Sequence, residues 1–116
     1  MFKNILKRKP KSELVYDKVE KNIAKFLKKE GYSLGKYSGY YVGGKYTEFY
    51  SDTCYLSMGE CLLEDAIGVV VGWNSFNDEK IENLKHNLEK LSDLNVSEEQ
   101  PPRPEYSTKF VIKYTV

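Results

Sequence analysis

Any chemistry in this chain would have to run through very few side chains. His86 is the only histidine, so a Ser/His/Asp or Cys/His nucleophilic set, or an imidazole-rich metal site, would depend on it alone. It falls opposite the leucine stripe of a helical pattern, which makes it a solvated surface residue. Cys54 and Cys61 are the only thiols. They show neither the Cys-x-x-Cys spacing of a redox pair nor a close-spaced metal pattern, so packed, inert thiols are expected. Glu60, Glu64 and Asp65 cluster in sequence but lack the Asp/Gly loop of a calcium site, and a solvated acidic patch is the plainer reading. Gly43-Gly44 joins no strand to a helix, so it is no phosphate cradle. No carboxylate pair stands out for hydrolysis. The residues therefore point away from an enzyme and call for no cofactor and no metal.

They point instead to binding. From Tyr46 to Glu79 the chain holds Glu48, Asp52, Glu60, Glu64, Asp65, Asp78 and Glu79 without one Lys or Arg. Tyr46, Phe49, Tyr50, Tyr55, Trp73 and Phe76 are interleaved with them. Tyrosine and tryptophan supply rigid contact area at low entropic cost, and carboxylates steer a basic partner. Tyr46, Glu48, Tyr50, Asp52, Glu60, Glu64 and Asp65 are the expected contact residues for such a partner, with the carboxylates around Glu60 as the sharpest target. The bland alternative is that half of these rings are core and the acids only keep the surface soluble. The tyrosine count favours a surface role: 10 residues of 116 are Tyr, and a small core seldom satisfies so many hydroxyls.

The elements that must position these residues can be read from periodicity. After a basic arm over residues 1–11, Ser12 is a candidate N-cap. Val15, Val19, Ile23, Phe26 and Leu27 then recur at helical spacing, with Lys18, Lys21, Lys25, Lys28 and Lys29 opposite and Gly31 as the stop. Two β-favouring runs, Lys36 to Val42 and Lys45 to Tyr50, flank Gly43-Gly44 and form a hairpin. A short strand over Cys54 to Met58 follows, and residues 60–66 fit a helical turn or a strand. Ile67 to Trp73 is a central strand whose Gly68 and Gly72 admit close approach from one face. A second helix, capped by Ser75 or Asn77, carries Ile81, Leu84, Leu88, Leu91 and Leu94 on one stripe. Residues 97–105, with Pro101, Pro102 and Pro104, are an extended connector, though a polyproline ligand has the same look. Tyr106 to Tyr114 alternates as a strand with Tyr106, Phe110, Ile112 and Tyr114 inward. The expected fold is a single α+β domain over residues 1–116, one mostly antiparallel sheet with two amphipathic helices packed on one side.

The net charge of +1 conceals an uneven split: residues 1–29 carry +7 and residues 30–116 carry −6. Lys exceeds Arg by 16 to 2, a bias that suits an A+T-rich bacterial, phage or mobile-element gene. No secretory h-region follows the basic start, so a cytoplasmic setting with reduced thiols is expected. A small α+β chain of this cast, with no catalytic set and an acidic aromatic surface, resembles the immunity proteins of contact-dependent inhibition and related polymorphic-toxin systems. That resemblance is one of overall character across the whole chain and rests on no motif. It implies a non-enzymatic protein that neutralises a basic cognate toxin, such as a nuclease domain, by covering its active site. The second reading is RNA or DNA binding, with phosphates on the basic arm and the lysine face of the first helix and bases stacked on Tyr37, Tyr40 and Tyr41. Phe2, Ile5 and Leu6 with their lysines could touch an anionic membrane, but the segment is too short for stable association. A tyrosine-rich hairpin edge could also pair with a second copy as a homodimer.

Overall fold

The computed structural model describes residues 11–42, 44–61, 64–72, 75–91, 94–104 and 106–114. Residues 1–10 of the basic arm, the tip glycine Gly43 and Trp73 lie outside that set, as do the side chains of Lys11 and Ser12. Within it, α1 (Lys11–Lys29), β1 (Gly35–Tyr41), β2 (Gly44–Tyr50), β3 (Tyr55–Cys61), β4 (Ala66–Gly72), α2 (Asp78–Glu89), β5 (Leu94–Glu99) and β6 (Tyr106–Tyr114) follow in chain order. The strands form one sheet in the order β1-β2-β3-β4-β6-β5, and every neighbouring pair is antiparallel. Both helices lie on one side, so the expected α+β architecture is the observed one.

Each helix is built as its sequence dictates. The stripe of α1 buries Val15, Val19, Ile23, Phe26 and Leu27, while its lysines stay in solvent. Gly31, at φ 89°, ends it in the left-handed region. There the Gly31 amide donates to the Lys28 carbonyl at 3.1 Å and the Tyr32 amide to the Leu27 carbonyl at 2.9 Å, the paired bonds of a Schellman cap. Asn77 caps α2 by accepting from the Lys80 amide, and Leu84 and Leu88 are buried beneath it. Asn22 and Asn87 lock the helices together, the Asn87 amide donating to Asn22 Oδ1 at 2.7 Å.

Alternation sets the two faces of the sheet. Phe49, Leu56, Met58, Ile67, Val69, Val71, Phe110 and Ile112 turn toward the helices and join their stripes in one core. A polar cluster pins the start of α1 onto β2. Tyr16, fully buried, donates to Thr47 Oγ1 at 2.7 Å, with the Met58 carbonyl as a longer second acceptor at 3.3 Å. The Thr47 hydroxyl in turn donates to Glu20 at 2.7 Å, and Lys45 Nζ lies 5.2 Å from the Tyr16 ring centroid.

The Tyr16 pKa is pushed above the ordinary phenol range, chiefly by burial, with the Glu20 and Glu60 carboxylates adding to the shift against the lowering effect of the Thr47 bond. A folded-state pKa above the unfolded one means that stability is intact below about pH 10 and declines as pH rises further. The unfolded chain then releases a proton that the folded core retains. Tyr16→Phe is expected to flatten that alkaline decline when urea midpoints are compared between neutral pH and about pH 11. An unchanged slope would contradict the assignment to Tyr16.

Two expectations need correction, and one open alternative is resolved in part. Residues 94–99, placed on the helical stripe and in the proline connector, form the edge strand β5. The helix ends at Glu89 because the polar residues that follow leave Leu94 and Val96 only every second position to pack, which is strand spacing. Residues 60–66, left open between turn and strand, complete β3 through Cys61 and begin β4 at Ala66. Tyr106 does not point inward with Phe110. The register shifts between Val71 and Gly72, so that Val71 opposes Thr108 but Gly72 opposes Tyr106. The irregularity turns the Tyr106 side chain to the opposite face.

Candidate functional site

The face of the sheet away from the helices is where the tyrosines gather. Pairing puts Gly35, Tyr37, Gly39 and Tyr41 of β1 on the same side as Tyr46, Glu48 and Tyr50 of β2. Tyr55, Ser57 and Gly59 of β3 continue that side, and Gly68 and Val70 of β4 extend it. Tyr106 joins through the shifted register. Six of the chain's 10 tyrosines therefore occupy one surface that, among the described residues, no helix covers.

The rings are held by glycines and by one another. Each ring leans across its strand partner: an added Cβ at Gly35 would come within 2.8 Å of the Tyr50 ring, and one at Gly39 within 3.1 Å of the Tyr46 ring. Tyr46 lies 5.8 Å from Tyr37 and meets Tyr41 edge-on at 5.7 Å, and Tyr55 stacks near Tyr106 at 6.3 Å. Such geometries add attraction beyond area burial and fix ring orientation. Tyr55 donates to Glu48 Oε2 at 2.7 Å, and Tyr41 donates to the Glu60 carbonyl.

Between the two ring groups the cross-strand pair Gly59 and Gly68 leaves a floor without side chains. The result is an open groove of about 620 Å³, walled by Tyr41, Tyr46, Tyr55, Glu48, Val70 and Lys109. The phenols on this wall stay neutral at ordinary pH. Tyr55 is pushed up to about 12 by burial and by its bond to Glu48. Tyr41 is raised by burial, then by Cys61 and Glu60. Tyr46 is raised by its hydrogen bond with Tyr37, then by burial. The wall can therefore donate and accept hydrogen bonds and offer ring faces, with Glu48 and Lys109 as charged groups among the rings.

The expected contact residues separate into groups. Tyr46, Glu48 and Tyr50 lie together on this face. Asp52 is exposed in the turn between β2 and β3, whereas Glu64 and Asp65 are exposed in the turn at the far end of β3. A seven-residue strand spans roughly 20 Å at 3.3 Å per residue, so these acids do not form one patch. Asp65 adopts φ 50°, a left-handed turn conformation that aspartate tolerates.

Glu60 is a correction. It is only 8 % exposed, and its Oε1 accepts the Lys45 backbone amide at 2.8 Å. It opposes Ile67 on the helix-covered side. Its carboxylate closes the end of the hairpin against β3 and is no surface target. Glu60→Leu leaves that amide without its acceptor and is expected to cost about 1–3 kcal/mol in a denaturant titration. A loss below a few tenths would contradict the structural role.

Sequence reasoning missed Tyr55 and Tyr106 as site residues and assigned Tyr37 and Tyr41 to another role with Tyr40. Alternation, had it been propagated from the hairpin turn, would have grouped Tyr37 and Tyr41 with Tyr46. The same alternation turns Tyr40, opposite Lys45, to the helix side, where it is 79 % exposed.

The other candidate chemistry is placed as follows. His86 is exposed between Glu82 at 4.0 Å and Glu89 at 3.3 Å. Cys54 is buried and free, its thiol pKa raised first by that burial. Cys61 Sγ approaches Glu64 Oε2 at 3.6 Å. Among the described residues no group of three or more His, Cys, Asp and Glu could hold a metal ion, and no helix is long and apolar enough to cross a membrane. No protein-family model matches the chain, and no curated protein or solved structure shows significant similarity to it.

Proposed function

We propose that this chain is a non-catalytic binding domain that docks a basic protein on the helix-free tyrosine face of its sheet. On this reading it acts as an immunity protein, neutralising a toxin domain such as a basic nuclease by covering it. One observation supports the reading above the others: six tyrosines lie on a surface that the helices of the described residues leave open. Tyrosine anchors of this kind dominate contact energies when a partner desolvates them. Glu48 among the rings and Asp52 at their border supply the negative charge that favours a basic partner.

Nucleic-acid binding has a weaker footing. The α1 lysines it would use for phosphates lie across the sheet from Tyr37 and Tyr41, so of its three stacking rings only Tyr40 shares their side. Among the described residues the helix-free face of the sheet itself offers only Lys109 and Lys113 as cations.

The test is affinity capture from the source cell with three proteins: the wild type, a Tyr46→Ala/Tyr50→Ala variant and a Lys21→Glu/Lys25→Glu variant. The expected result is a basic protein retained by the wild type and the lysine variant and lost by the tyrosine variant. Retention by the tyrosine variant would contradict the reading. Retention of RNA or DNA at low salt, abolished by the lysine variant, would replace it with the nucleic-acid alternative.

A further inference from the structure

The two edges of the sheet are unlike each other. The β5 edge carries Glu98 and Glu99 and runs into Pro101 and Pro102, the charges and prolines that discourage pairing with another chain. The β1 edge has no proline and a single charge, Lys36, in Gly35-Lys36-Tyr37-Ser38-Gly39-Tyr40-Tyr41. None of its side chains belongs to the core, and every residue but Gly39 is exposed. Its pairing with β2 holds β1, helped by the Lys36–Glu20 ion pair at 3.5 Å and by the Tyr41 bond to the Glu60 carbonyl.

The outer hydrogen-bonding row of β1 can be located. The Lys45 amide points to Glu60 on the β3 side, so the Tyr40–Lys45 pair is one whose backbone groups point away from each other. Alternation then aims the N–H and C=O groups of Lys36, Ser38 and Tyr40 outward.

We infer that β1 is a homodimerisation edge, pairing antiparallel with β1 of a second copy about a two-fold axis through Ser38. The sequence is self-complementary about that residue. Ser38 meets its own counterpart, Lys36 meets Tyr40, Tyr37 meets Gly39, and Gly35 meets Tyr41. The outward groups of Lys36, Ser38 and Tyr40 all find partners in this register, giving about six backbone hydrogen bonds.

On the helix-free face every tyrosine of one copy faces a glycine of the other. The same pairing recurs between β1 and β2, where Gly35 opposes Tyr50, Gly39 opposes Tyr46 and Tyr41 opposes Gly44, with Tyr37 opposite Glu48 the exception; between β2 and β3 Tyr50 opposes Tyr55. The lone charge does not meet itself: Lys36, whose ammonium pairs with Glu20 at 3.5 Å, lies opposite Tyr40 of the other copy, where its stem can run along the ring. A register shifted by two residues in either direction would put tyrosine against tyrosine on the crowded face or lose the outermost hydrogen bonds. Because the axis stands perpendicular to the sheet, both tyrosine faces lie on one side, and the groove-bearing surface is doubled. Pairing at β1 does not depend on what that surface binds.

Sedimentation equilibrium of the full chain over a wide concentration range tests it. The expected result is a species of twice the 13.5 kDa chain mass, reduced to the monomer by Ser38→Pro, which removes an outward donor. Ser38→Lys provides a second break that leaves β1 able to pair with β2, since Ser38 is exposed, and places like charges together at the axis. Circular dichroism confirms that each variant is folded. A wild type that stays monomeric throughout, or a dimer that survives both changes, overturns the proposal. The register is read by oxidation in a Cys61→Ser background: Ser38→Cys is expected to cross-link two copies and Tyr40→Cys is not. The reverse pattern overturns the axis.

Discussion

Tyr16→Ala is expected to lower unfolding stability by about 3–5 kcal/mol, the range for removing a buried aromatic ring. The cost has two sources. The ring is fully enclosed between α1 and the sheet, so its loss leaves a cavity in a close-packed layer. Its hydroxyl also joins Thr47 and the Met58 carbonyl, and both lose a partner at once. Tyr16→Phe separates the two, keeping the ring and removing the hydroxyl. It is expected to cost about 1–3 kcal/mol, the penalty for buried polar groups left without a bond. Urea titrations of the two variants give the comparison. An alanine variant within 1 kcal/mol of the wild type would mean that the polar cluster under α1 does not fasten the helix to β2.

The second large effect concerns binding. Tyr46→Ala is expected to weaken capture of the basic partner by about 2 kcal/mol or more, roughly 30-fold, as truncation of a central tyrosine does in well-packed interfaces. Tyr46 is the ring that contacts both Tyr37 and Tyr41 and shelters Gly39, so it orients its neighbours as well as presenting its own face. The change should cost the fold little by comparison, about 0.2–1 kcal/mol for a cross-strand pair. Titration calorimetry with the captured partner, beside a melt of the same variant, keeps the two effects apart. Full affinity in a folded Tyr46→Ala protein would remove the tyrosine face from the interface.

Much of the fold was legible because periodicity is strong where burial is one-sided. The α1 stripe, the Gly31 stop, the hairpin and the alternating β6 follow from residue types at fixed spacing. The second helix was legible in type but not in length. Leu91 and Leu94 continue the spacing of Leu84 and Leu88, and only the tertiary need of β6 for an outer partner converts residues 94–99 to strand.

The candidate site was legible in composition but not in arrangement. Counting acids along the chain grouped Glu60 with Glu64, although one is spent on the Lys45 amide and the other is exposed in a turn. The tyrosine face depends on register across four neighbouring pairs of strands, including an irregularity that reverses Tyr106. No local pattern announces such a reversal.

The central claim, that the helix-free tyrosine face is the contact surface, is tested most directly by site-specific photocrosslinking in the source cell. A benzophenone amino acid replaces Tyr50 on that face in one protein and Lys25 on the outer face of α1 in another. A discrete adduct with a basic protein is expected from position 50 and none from position 25. An adduct from position 25 with none from position 50 would contradict it.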